Sequence, residues 1–240
     1  YLFKLFFIIG LVFAGFELWG AVVGFILASF FALTVGLILV FKKFFVKSHK
    51  SALKPLIGFE LNLIALTIVI HLLNNVDLFL IKSLIKVNSS SAAGFYLAAS
   101  TIAKLPQIAV LAFPLILFPL ISATTFKGHL KQTQNYIKKS FRFAFLLLFP
   151  LAFVISASSQ ELLALVYGLD YSFAGSLALS ALVFAASFYS LFLLMTTLLS
   201  ASGNPVKSFI ISLIVLIFVF LTGFYLIPLH GIFGMAIAMF

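Results

Sequence analysis

The chain has 240 residues, 64% of them hydrophobic and only 8% charged, with a mean hydropathy of +1.30. A soluble globular domain is about 45–50% apolar and 25% charged, so this chain has too little polar surface to stay in water. Its 15 Lys and Arg against 5 Asp and Glu give a formal charge of +10, which in so apolar a chain marks the cytoplasmic loops of a membrane protein before it marks a nucleic-acid surface.

The apolar stretches are continuous and about 20 residues or longer, the length a helix needs to cross roughly 30 Å of hydrocarbon. A membrane β-barrel would instead alternate apolar and polar residues in segments of about 10. The expected fold is all-α, a polytopic transmembrane helix bundle. There is no cysteine, so disulfides and thiolate metal sites are excluded. The first apolar run lacks an A-x-A cleavage site and leads into a second run, unlike a removed signal. The chain opens at Tyr1 and stops at Phe240 inside an apolar run, and it reads as a fragment of a longer protein.

Taken in order, the apolar runs are 1–15, 20–41, 55–81, 92–124, 142–160, 173–200 and 207–228, with a further run starting near Gly231. That predicts seven spans and the start of an eighth. The breaks carry loop chemistry: Gly15 to Gly20 around Glu17, Asn88-Ser89-Ser90-Ser91, Gly168-Leu169-Asp170, Gly203-Asn204-Pro205 and Pro228-Leu229-His230-Gly231. Alternate loops hold eleven cations, namely Lys42, Lys43, Lys47, Lys50 and Lys54, then Lys127, Lys131, Lys138, Lys139 and Arg142, then Lys207. The intervening loops hold two, Lys82 and Lys86, together with Glu17, Glu161 and Asp170. The first set is therefore expected on the cytoplasmic side. No soluble domain is inserted, so function is expected within the bundle. The basic loop 42–54 is the expected linker between residues 1–54 and 55–240; as a lipid-headgroup patch it ranks below a plain topology signal.

The second run places Gly20, Gly24, Ala28, Ala32 and Gly36 at i+4 spacing, a row that lets another helix backbone approach closely. The third run carries polar groups instead. At about 100° per residue, Glu60, Thr67, His71, Asn74 and Asn75 fall within about 50° of a common line, and Asp77 lies about 60° beyond Asn74. Such a stripe cannot face lipid without cost, so it is expected to line a wet cavity or the bundle interior. In the fourth run Lys104 sits about 18 Å and 30 Å from the two ends, near mid-membrane. Tyr96, Ser100 and Gln107 share its side of the helix. A cation at that depth costs about 2.5–3.5 kcal/mol on insertion scales and should face water, an anion or an acid. Pro106, Pro114 and Pro119 are expected to interrupt the same helix, as in the broken helices of transporters. No H-E-x-x-H, G-x-S-x-G, Walker or Asp-x-Asp pattern occurs, and no metal, cofactor or covalent chemistry is expected.

Several segments resemble bacterial polysaccharide-biosynthesis flippases of the multidrug/oligosaccharidyl-lipid/polysaccharide exporter superfamily. They are Asn74-Asn75-Val76-Asp77-Leu78-Phe79-Leu80-Ile81-Lys82, Ala93-Gly94-Phe95-Tyr96-Leu97-Ala98-Ala99-Ser100, Lys104-Leu105-Pro106 and Leu117-Phe118-Pro119-Leu120-Ile121-Ser122. Glu161 to Tyr171, Ala201-Ser202-Gly203-Asn204-Pro205 and Ile227-Pro228-Leu229-His230-Gly231-Ile232-Phe233-Gly234 look like later loops of the same family. The resemblance implies part of a two-lobe bundle in the bacterial inner membrane. It would flip an undecaprenyl-diphosphate-linked oligosaccharide by alternating access, with Lys104 in the position of a diphosphate contact. Lys104, Ser100, Gln107, Tyr96, Glu60, His71, Asn74, Asn75 and Asp77 are the expected substrate-binding residues, with membrane lipids as further partners and no nucleic acid. The alternatives are a multidrug exporter of the same superfamily, which Glu60 and Asp77 favour, and a membrane-embedded glycan polymerase, which would need a large outer loop.

The charge pattern predicts accessibility. A single cysteine replacing Lys131 should react with an impermeant thiol reagent only after the membrane is opened, and one replacing Asp170 should react on intact cells. Labelling of position 131 from outside would reverse the topology.

Overall fold

The computed structural model describes residues 2–44, 53–86 and 89–239. Every long element among them is helical, and the chain is a multi-pass membrane protein built as a helix bundle. It divides into two compact units, Tyr1–Leu53 and Lys54–Phe240. Much of the basic segment 42–54, including Lys47 and Lys50, lies outside the described residues.

The first unit is a helical hairpin of α1 (Leu2–Leu11) and α2 (Glu17–Phe44). A π-helical turn, Val12–Phe16, joins them, with Gly15 at φ +89°. Only glycine enters that region at little cost, which is why the reversal falls there. Three of the five residues in the small-residue row do what its spacing predicts. Gly20, Gly24 and Ala28 are buried, and a Cβ on Gly24 would lie 2.9 Å from the Ile8 Cα and the Phe7 carbonyl oxygen. Ala32 and Gly36 are exposed. At 10 residues, α1 rises about 15 Å, half the hydrocarbon thickness.

The second unit holds α3 (Leu53–Leu73), α4 (Val76–Leu84), α5 (Ser89–Ala103), α6 (Leu105–Val110), α7 (Ala112–Phe126), α8 (Leu130–Ala157), α9 (Ser159–Tyr167), α10 (Leu169–Ala201) and α11 (Pro205–Ala238). Among the described residues of both units, five helical stretches are long and apolar enough to cross a membrane, and six if α3 and α4, bent by 42°, form one broken span. Of the seven spans expected from the sequence, six coincide with these stretches, and the one at 1–15 is represented by α1 (Leu2–Leu11).

Helix ends also move. The segment 125–141, expected as a loop, is a three-residue connection, Lys127 to His129, followed by α8. Lys131, Lys138, Lys139 and Arg142 therefore ride on the first turns of a helix. From Leu130 onward the segment is rich in Lys and Gln, is free of Gly and Pro, and keeps apolar residues at helical spacing, so polarity did not end the helix there. Likewise 161–172 is mostly α9 and the start of α10, hinged at Gly168 with φ +95°. Pro106 and Pro114 coincide with breaks, because each lacks an N–H and crowds the carbonyl four residues back. Pro119, expected to interrupt as well, sits inside an unbroken α7.

Packing centres on α10, which contacts α5, α6, α7, α8, α9 and α11. Its buried positions are mostly small: Ser172, Gly175, Ala178, Ala185, Ser187, Ser190 and Ala201. Their hydroxyls are satisfied at close range. Ser172 Oγ donates to the Gln160 carbonyl at 2.8 Å, fastening α9 to α10, while Ser187 and Ser190 donate to carbonyls four residues back. At the opposite end Ser208 Oγ donates to the Thr196 carbonyl and Ser200 Oγ to Ser208 Oγ, both at 3.0 Å, closing the α10–α11 hairpin. Beyond Gly231 (φ 59°, ψ −137°) the chain folds back along α11. Met235 Sδ comes within 2.9 Å of a Cβ placed on Gly223, and a Cβ on Gly234 would strike the Leu226 carbonyl. The start of a further segment near Gly231 is where the sequence put it.

Replacing Gly24 by Ala is expected to spread α1 from α2 at a cost of about 1–3 kcal/mol, because the neighbour is backbone and cannot rotate away. Gly36→Ala meets open space and should leave the midpoint of thermal unfolding in detergent unchanged, which makes it the matched control.

Candidate functional site

Three interrupted helices meet α10 around one polar cavity. The first interruption is Asn74-Asn75, which ends α3 and opens α4. It creates a new helix N-terminus inside the bundle, and Asp77 lies in its first turn. Unpaired N–H groups and the positive end of the helix dipole favour a carboxylate there. Asp77 is 4% exposed. Its Oδ1 accepts the Leu78 N–H at 2.8 Å and its Oδ2 accepts the Tyr96 hydroxyl at 3.1 Å. Tyr96 is fully buried on α5, so the phenol is a fixed donor under the carboxylate.

The second interruption is Lys104, between α5 and α6. Its N–H still reaches the Ser100 carbonyl at 3.2 Å, and its own carbonyl accepts the Gln107 N–H at 3.1 Å. The cause is Pro106, which cannot donate to the Ile102 carbonyl. The third is the reversal at Gly231, which carries Met239 back to the cavity wall. The cavity has a volume of about 30 Å³ and is lined on its polar side by Asn74, Asp77, Ser100, Lys104, Gln107 and Tyr189. That is room for about two waters and not for a sugar. It forms a polar floor beneath Lys104, whose side chain is exposed at the rim.

Tyr189 on α10 is the residue that sequence reasoning missed. Its hydroxyl accepts Asn74 Nδ2 at 2.8 Å and lies 3.5 Å from the Ile70 carbonyl, to which it donates. Asn74 Nδ2 also donates to that carbonyl at 3.0 Å. Tyr189 thereby pins the open end of α3 to the central helix. The available signal was a tyrosine between Ser187 and Ser190 in an otherwise apolar span.

The nine residues expected at a substrate site separate into two groups. Asn74, Asp77, Ser100, Lys104 and Gln107 share the cavity, with Tyr96 directly behind Asp77. Glu60, His71 and Asn75 do not reach it; they are exposed, as is Thr67. The buried stripe of α3 is Leu66, Val69 and Leu73, and Glu60, Thr67 and His71 lie roughly 125–165° round the helix from its centre. Asn74 stands at the near edge of the polar stripe, and the bend after it turns Asp77 inward. Asn75 Nδ2 donates to the His71 carbonyl at 2.8 Å, so it caps its own helix end. Among the described residues no group of three His, Cys, Asp or Glu side chains could hold a metal ion.

Residues 1–174 match the family model described as polysaccharide biosynthesis protein. The chain belongs to this family. The match takes in every cavity residue from Asn74 to Gln107 and stops short of Tyr189. No curated protein and no solved structure matches this polysaccharide biosynthesis protein.

The Asp77–Tyr96 bond can be measured by a double-mutant cycle. Tyr96→Phe, Asp77→Asn and the pair, unfolded in detergent, should give a coupling of about 0.6–1.7 kcal/mol, the range for hydrogen bonds between membrane helices. Additive single effects would show that the two groups do not interact.

Proposed function

We propose that this polysaccharide biosynthesis protein flips a lipid-linked oligosaccharide across the bacterial inner membrane by alternating access, without covalent chemistry. The observation that carries the reading is the exposed Lys104 at the rim of a polar cavity inside an apolar bundle, in a chain of this family. The cargo class that fits is a sugar chain on a prenyl diphosphate, in particular undecaprenyl diphosphate. A diphosphate is compact and multiply charged, and a fixed cation attracts it far more strongly in a low-dielectric site than in water. Lys presents a flexible point charge with three donors, able to follow a headgroup between inward and outward states. Ser100 and Gln107 supply neutral hydrogen-bonding groups beside it. Asp77, held by Tyr96 and Leu78, lines the deep side of the same cavity.

One observation favours a second reading. Asp77 is a buried carboxylate on the same cavity, and a cation exporter of the same superfamily would use such a group to hold cationic cargo. The two readings part at Lys104, which attracts one cargo and repels the other.

In the full-length protein Lys104→Ala should lower transport of lipid-linked oligosaccharide at least tenfold, Lys104→Arg should keep part of it, and Lys104→Gln should resemble Ala. Flipping is read in proteoliposomes at matched membrane abundance. Parent-level transport by Lys104→Gln would make the charge structural. Faster efflux of a cationic dye by the same variant would favour the exporter.

A further inference from the structure

We propose that the groove between α7 and α8 is a binding site for an anionic phospholipid, with the acyl chain in the groove and the phosphodiester against Lys139 and its neighbouring cations. This inference does not depend on the transport function proposed above.

The groove has a volume of about 250 Å³ and is walled by Phe113, Ile116 and Leu117 of α7 and by Phe143 of α8, with Tyr136, Lys139 and Ser140 at its polar end. The walls are the chemistry of an acyl chain, and Ile116 and Phe143 are largely exposed. Apolar walls alone would accept any lipid tail. The selective element is charge. Lys131, Lys138 and Arg142 fall within about 40° of one line on α8, and Lys139 stands about 60° from Arg142, over the groove. All four are exposed.

Nothing in the nearby chain neutralises them. No Asp or Glu occurs between Asp77 and Glu161. Glu161 follows the far end of α8, at least about 22 Å along the helix from Arg142, beyond about two Debye lengths at physiological salt. Asp77 is buried and committed to Tyr96 and Leu78. Among the described side chains these cations have no counter-ion, and Lys139 alone of them lines the groove and joins their face to it, an arrangement complementary to a lipid carrying one anionic headgroup. Clusters of this size beside a membrane helix are what anionic leaflets attract.

The site is also held in shape. Thr133 Oγ1 donates to Thr124 Oγ1 at 2.9 Å and lies 3.4 Å from Thr125 Oγ1, locking α8 to the end of α7. Ser140 Oγ donates to the Tyr136 carbonyl at 2.7 Å, so this hydroxyl is turned onto its own helix and leaves the headgroup to the cations. The groove lies on α7 and α8, whereas the polar cavity is built from Asn74, α4, α5, α6, α10 and Met239. It has no cluster of neutral polar groups to read a sugar, which favours a resident phospholipid over the glycolipid cargo.

The test is native mass spectrometry of the full chain in detergent, titrated with phosphatidylglycerol or phosphatidylcholine of identical acyl chains. The expected result is retention of phosphatidylglycerol at about tenfold lower concentration than phosphatidylcholine. Lys138→Gln, Lys139→Gln and Arg142→Gln together should abolish that preference, each step lowering retention on the order of fivefold. Ile116→Trp, which fills the groove and keeps every charge, should also weaken retention, while Lys139→Arg should preserve it. Equal retention of the two lipids by the parent overturns the proposal, and this comparison needs no variant to fold. Unchanged retention of phosphatidylglycerol by Ile116→Trp would show attraction to the basic face without use of the groove, and overturns it as well. Competition by glycerol phosphate at the same concentration would mark a bare phosphate site. Displacement of phosphatidylglycerol by equimolar undecaprenyl diphosphate would give the groove to a prenyl lipid instead. Either outcome defeats the phospholipid assignment.

Discussion

Close approach of helix backbones to α10 is the constraint on which the second unit depends. Among lipid tails the hydrophobic effect does not drive helices together, because a leucine is as well solvated by lipid as by protein. Association must come from dispersion contacts and satisfied hydrogen bonds. The central helix provides both by presenting glycine, alanine and serine to its neighbours. Larger side chains fill the remaining space: Phe149 meets Phe188 and Phe153 meets Phe184, each edge to face at 5.1–5.2 Å, across α8 and α10. Phe95 meets Tyr171 in the same manner at 5.0 Å, across α5 and α10.

The candidate site exists because other helices fail to stay regular beside that rigid one. A backbone released from its helix must find partners, since unsatisfied N–H and C=O groups cost several kcal/mol in hydrocarbon. At Asn74-Asn75 the side-chain amides of both asparagines cap the end of α3, and Tyr189 of α10 completes the set. At Lys104 a proline enforces the break, and the adjoining turn keeps its bonds to Ser100 and Gln107. Both breaks fall at the same level of α10. The result is a small polar pocket with Asp77 held deep and Lys104 at the rim.

The cations of α8 show the opposite economy. They sit where the helix is polar and exposed, with no acid in the adjoining sequence. In a soluble protein such a face would be moderated by interspersed carboxylates. Here the counter-charge is left to the surroundings, and the surroundings of a membrane helix include lipid headgroups.

Composition and periodicity alone determined that the chain is a helical membrane protein, where most spans run, and which residues carry polarity into the bilayer. Each of these follows from local rules: helix length against membrane thickness, cost of burying charge, and the 3.6-residue repeat. Asp77, Ser100, Lys104 and Gln107, which line one cavity, stood out because a polar side chain in an apolar run is costly to leave facing lipid. The same logic grouped Glu60 and His71 with them, since a single-helix projection knows the face but not the partner. Only the tertiary structure decided which edge of that stripe meets α10, because the answer depends on a 42° bend after Leu73 and on the packing of Leu66, Val69 and Leu73 elsewhere. It alone supplied Tyr189, more than 110 residues from Asn74 in the chain, for no local pattern encodes a contact of that separation. It also turned the expected basic loop into the start of α8, because hydropathy marks where a chain leaves hydrocarbon and not where its helix ends.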